Sequence, residues 1–143
     1  MQVTIQHIES TQSLSVPGTA QLGYITEFVT PNVKGRATLV PGNGSPDSIT
    51  PGAVIEVDVK QDYISRFRKL DDQQIQLKID PLGDGEFSVQ GKVIFSFDDG
   101  DFGVDVGGFV FTLDDDDALG RRPEIDDWVS FEVHGMSLWE KTF

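Results

Sequence analysis

The chain has 143 residues, 38% of them apolar and 24% charged, with ten Phe, two Trp and two Tyr, which excludes a disordered chain and predicts a single domain, 1–143, around one sizeable core. Eleven Lys and Arg stand against 24 Asp and Glu, a formal net charge of −13; such a chain repels phosphate backbones and anionic membranes and attracts basic surfaces. Cysteine is absent, no apolar run approaches the length of a membrane span, and the opening Met1-Gln2-Val3-Thr4-Ile5 lacks the charged and apolar regions of a secretory signal, so a cytoplasmic protein is expected.

Period-2 alternation dominates and predicts mainly strands. Val3 and Ile5 alternate with Gln2, Thr4 and Gln6 in the first, and His7 falls in phase with the inward pair as a core-edge residue. Leu22, Tyr24, Thr26 and Phe28 mark a second strand, and residues 36–40 a short third. The Pro- and Gly-rich run 41–52 is the clearest loop, dividing an N-terminal hairpin layer, 1–50, from a main meander, 53–143. Ile55, Val57 and Val59 then alternate with Glu56, Asp58 and Lys60.

At Tyr63, Phe67 and Leu70 the apolar spacing becomes +4 and +3, with Ile64 alongside and Asp62 placed to cap, which predicts one short amphipathic helix. Alternation returns at Ile75, Leu77 and Ile79. Asp99-Gly100 predicts a two-residue hairpin loop, pairing Phe97 with Phe102, Phe95 with Val104, Val93 with Val106, Val89 with Val110 and Gly91 with Gly108. Facing glycines would let the ribbon coil sharply or let another backbone approach. Val129, Phe131 and Val133 form the last clear strand, with Met136, Leu138, Trp139 and Phe143 as an apolar tail. The expected fold is mainly β with one short helix, as a curled antiparallel sheet or a small OB-like barrel.

Motifs for chemistry are absent. There is no Cys and no G-x-S-x-G, and the Gly85 to Gly91 run misses the spacing of a P-loop. His134 reads as a surface partner of Glu132. Asp99, Asp101 and Asp105 have the odd-position spacing of a calcium loop, but Gly103, Val104 and Val110 occupy positions that need a ligand, a glycine and a glutamate. Arg66, Arg68 and Lys69 beside Tyr63 and Phe67 make a small basic-aromatic cluster, outweighed as a nucleic-acid site by the net charge. No enzyme activity, cofactor, metal, nucleic acid or membrane is therefore expected.

What remains is the distribution of charge. From Asp98 to Asp127 there are eleven acids and two bases, a local net of −9 that leaves −4 for the other 113 residues. This points to a non-enzymatic acidic protein that engages a basic partner protein, as an inhibitor or immunity protein of a nuclease or toxin does. Asp114, Asp115, Asp116, Asp117, Asp126 and Asp127 would supply the field, with Trp128, Trp139, Phe109 and Phe111 as aromatic anchors. The alternatives are a small-molecule or glycan-binding barrel, with or without calcium, in which Trp128 or Trp139 stacks on the ligand, and an assembly subunit whose apolar tail inserts into a neighbour.

Overall fold

The computed structural model describes residues 1–141, so Phe143 of the expected tail lies outside the described residues. In chain order the strands are β1 (Gln2–Ile8), β2 (Leu14–Ser15), β3 (Leu22–Val29), β4 (Lys34–Val40), β5 (Val54–Lys60), β6 (Tyr63–Lys69), β7 (Lys78–Gly83), β8 (Glu86–Ser96), β9 (Phe102–Val106), β10 (Phe109–Leu113), β11 (Trp128–His134) and β12 (Ser137–Glu140). A single 3-10 turn, Pro46–Ser48, sits in the loop between β4 and β5, with Ser45 capping the Asp47 N–H. No helix among the described residues is long and apolar enough to cross a membrane.

Strands β1, β5, β12, β4 and β3 lie side by side in that order, and β3 pairs back onto β1 to close a five-stranded barrel. All pairings are antiparallel except β4 with β12, which makes this an OB-like Greek-key barrel. The chain between β5 and β12 forms a second, curled sheet in the order β10-β9-β8-β11-β6, with β7 on the N-terminal half of β8. One core serves both sheets: Phe28 of the barrel packs its ring 6.2 Å from Phe87 and 6.1 Å, edge-on, from Phe109. Of the apolar tail, Met136 and Leu138 are buried where β12 completes the barrel.

Residues 63–69 form a strand where the spacing predicts a helix. Ser65 pairs with Glu132 and Arg68 with Ser130, leaving Arg66 and Phe67 opposite Phe131 alone. Arg66 adopts the left-handed region at φ 55°. Such a bulge adds one residue to an inward period of two and so imitates helical spacing. The same device moves His7: Ile5 pairs with Phe28 and His7 with Glu27, so Gln6 is bulged and His7 is exposed rather than at the core edge.

The expected hairpin register is also replaced. Phe97 N–H donates to Asp101 O at 2.8 Å and Gly100 N–H to Phe97 O at 3.2 Å, a three-residue loop whose last member, Gly100, has φ 103°. Val93 then pairs with Val104 and Phe95 with Gly103. The two-residue turn lies further on, at Gly107-Gly108, with φ 59° and 98° and Phe109 opposite Val106; this geometry needs positive φ at both residues and suits glycine. Val110 therefore faces Asp105 rather than Val89, and Gly91 faces Val129 rather than Gly108. The second half of the expected ribbon is two strands.

Candidate functional site: an acidic sheet end

Strand β10 ends at Leu113 opposite Phe102, the first residue of β9, so the turn after β10 lies beside the β8–β9 loop. Within that turn Asp114 and Asp117 cap one another, Asp114 N–H donating to Asp117 Oδ2 at 3.0 Å and Asp117 N–H to Asp114 Oδ1 at 2.8 Å. Gly120 N–H closes the turn on Asp115 O at 2.9 Å. Across from it, Asp101 N–H donates to Asp99 Oδ1 at 2.9 Å. The two segments touch, since a Cβ on Gly100 would lie 2.7 Å from Asp115 Oδ2.

Seven carboxylates thus share one end of the curled sheet: Asp98, Asp99, Asp101, Asp114, Asp115, Asp116 and Asp117. None makes an ion pair among the described residues. Arg122 comes near but donates to Phe97 O, at 2.8 Å. Burial raises the Asp117 carboxyl above the usual range, and the charges of Asp114 and Asp116 push in the same direction, while the Asp114 N–H opposes them.

The structure separates the other expected site residues from this end. Asp126 pairs with Lys92 at 3.2 Å and Asp127 with Lys69 at 3.2 Å. Asp126 N–H donates to Val93 O at 2.9 Å, and Val93 stands four residues before Phe97, roughly 13 Å along an extended strand. Trp128 is half-buried opposite Lys92. Trp139 lies in the barrel, donating from Nε1 to Ser137 Oγ at 2.9 Å beneath the Lys60 ammonium, 4.0 Å from the ring centroid. Phe109 and Phe111 are 2% and 0% exposed; they are core residues rather than surface anchors, because β5 and the barrel cover their face.

The aromatic residue exposed at the acidic end is Phe97, at 55%. Alternation placed it inward. Ile94 is an extra residue between the Val93–Val104 and Phe95–Gly103 pairs, which turns Phe97 out beside Phe95, 4.9 Å between ring centroids. Only a reading of Asp98-Asp99-Gly100 as a three-residue loop would have found it.

A second constellation joins three strands on the outer face. Ser65 Oγ lies 2.6 Å from His134 Nε2, His134 Nδ1 meets the buried Oε2 of Glu86, and Tyr63 stacks on the imidazole at 4.4 Å. Hydroxyl, imidazole and carboxylate follow the order a nucleophilic serine needs. The neighbours oppose that chemistry. Glu132 stands directly across from Ser65 and 3.9 Å from His134 Nε2, a negative charge that would disfavour an oxyanion developing beside the hydroxyl. Arg66, 3.6 Å from Glu132, offsets little because its side chain is 82% exposed. The row is a polar brace across β6, β11 and β8. Among the described residues no three His, Asp or Glu side chains gather as a metal site.

Comparison with protein-family models, curated proteins and solved structures found no match, so the functional reading rests on the site's own geometry.

Proposed function

We propose that this chain is a non-enzymatic binding protein whose acidic sheet end engages a basic partner protein, the class of partner being one that itself grips phosphates, as a nuclease or toxin does. The observation that carries the reading is the set of seven carboxylates at one sheet end without a lysine or arginine ion pair among the described residues. Charge left without a partner on a folded surface draws an oppositely charged protein at enhanced rate and repels like-charged competitors. Phe97, exposed beside Asp98, supplies what charge does not, an apolar anchor to be desolvated at the centre of the contact. It replaces Phe109 and Phe111 in that role.

Capture from the source lysate at low and moderate salt tests this with three baits. A single basic protein should be held by the wild type, released as salt rises, and lost by the bait with Asp114, Asp115, Asp116 and Asp117 changed to Asn. Phe97→Ala should weaken the same complex. The pair Asp126→Asn and Asp127→Asn should retain it, because those carboxylates already have lysine partners. Equal capture by all baits, or none by the wild type, would refute the proposal.

A further inference from the structure

Behind the acidic end, between β6 and the chain after the 114–120 turn, lies a cleft of about 770 Å³, within the range of small-molecule sites. Its lining inverts the charge of the molecule. Four of the chain's eleven Lys and Arg, namely Arg68, Lys69, Arg121 and Arg122, reach this one cleft, against two acids, Glu124 and Asp127. Lys69 is engaged by Asp127 at 3.2 Å, and Arg122 by the Phe97 carbonyl. Arg68 and Arg121 are exposed, and their guanidinium groups make no ion pair or hydrogen bond among the described residues. Two guanidinium groups without side-chain partners, on residues that line one cleft of a chain of net charge −13, are free to take an anion from outside.

The apolar part of the lining is equally specific. Phe67 forms part of the wall, held by Phe102 and Phe131 at 5.9 and 6.3 Å, and the bulge at Arg66 sets its direction. Leu119 stands on the other side, 76% exposed and at φ 55°. A branched residue in the left-handed region is strained where glycine would not be, and exposure gains it nothing in the free protein. Of the three non-glycine residues in the left-handed region among the described residues, Leu119 lines the cleft, and Arg66 and Asp126 each precede a residue that does, Phe67 and Asp127.

We infer that the cleft binds a compact organic anion with a ring system, its phosphate, sulfonate or carboxylate group taken by Arg68 and Arg121 and its ring placed between Phe67 and Leu119. A long polyanion is a poor fit. The cleft's Ala118 directly follows the four-aspartate run, so an extended nucleic-acid strand would meet like charge as it left the site. The inference is independent of the partner protein proposed above.

The probe is 1-anilinonaphthalene-8-sulfonate, an aryl sulfonate, paired with N-phenyl-1-naphthylamine, the same ring system without the charge. Titrated into the folded protein, the sulfonate should give saturable fluorescence. Arg68→Ala with Arg121→Ala should weaken it by about tenfold or more, the effect of losing charged hydrogen bonds, and change the neutral probe by less than about twofold. Leu119→Gly relieves backbone strain, so it should fold at least as well, and it should weaken both probes. A single-stranded oligonucleotide should not displace the sulfonate. Absence of saturable binding, unchanged binding in the double-arginine variant, or displacement by the oligonucleotide would each overturn the inference.

Discussion

The turn at 114–117 and the turn at 124–127 use the same local device and differ in what the rest of the fold brings to them. In the first, Asp114 N–H donates to Asp117 Oδ2 at 3.0 Å; in the second, Glu124 N–H donates to Asp127 Oδ2 at 2.8 Å. The second turn lies against β6 and β8, whose Lys69 and Lys92 meet Asp127 and Asp126. The first lies against the β8–β9 loop, which contributes more aspartates. One acidic turn is thereby tied into the scaffold, and the other has no ion pair among the described residues. Local sequence sets the turn, and the tertiary neighbours decide whether its charge is paired.

The largest effect that tests this contrast is on the paired turn. Asp127→Ala removes the acceptor of a backbone N–H together with the partner of Lys69 and should cost about 1–2 kcal/mol in urea unfolding. Asp114→Ala also removes a backbone acceptor, for Asp117 N–H, but it relieves repulsion within the aspartate run, so about half that loss is expected. A loss at Asp114 equal to that at Asp127 would break the comparison.

A smaller effect of opposite sign belongs to the open end alone. Changing Asp115 and Asp116 to Asn should raise stability by about 0.2–0.5 kcal/mol at low salt, the scale of like-charge repulsion between surface neighbours. The gain should fade at 1 M salt, where the screening length falls to about 3 Å. Asp126→Asn, which breaks the contact with Lys92, should instead lower stability by a similar amount.

How much of this was legible in the sequence follows from where alternation holds. Val3 and Ile5, Val57, and Val129, Phe131 and Val133 were read inward and are buried, because a strand with one covered face repeats every two residues without interruption. The reading failed at Gln6, at Arg66 and at Ile94, each an extra residue in a strand. A bulge leaves no mark in composition, and at Tyr63, Phe67 and Leu70 it counterfeits a helix. The OB-like barrel was legible only as a class, since the parallel pairing of β12 with β4 joins Leu138 to Leu39 across most of the chain. For the site, the run at 114–117 could be read directly. Its junction with Asp98, Asp99 and Asp101 depends on the β9–β10 pairing, and the neutralisation of Asp126 and Asp127 depends on lysines of distant strands. The charge was visible in sequence, and its division into paired and unpaired halves was not.

The remaining effect depends on pH and concerns Asp117, whose carboxyl burial raises above its ordinary value of 3.8. A raised folded-state value means that the fold disfavours the charged form, so the penalty is present at neutral pH. As pH falls through the raised value the folded protein takes up the proton first, and the penalty is relieved once pH is below the unfolded value. Asp117→Asn keeps a side-chain oxygen for Asp114 N–H and removes the titration. The stability of the wild type relative to this variant should therefore rise as pH is lowered from 7 toward 4. Solvent reaches much of the group, so the change should stay below about 1 kcal/mol, resolvable by urea unfolding at closely spaced pH values. A difference that fell with acidification would mean that the bond from Asp114 N–H outweighs burial and holds Asp117 charged. The open turn would then be fastened by its own carboxylate as firmly as the paired turn is by Asp127.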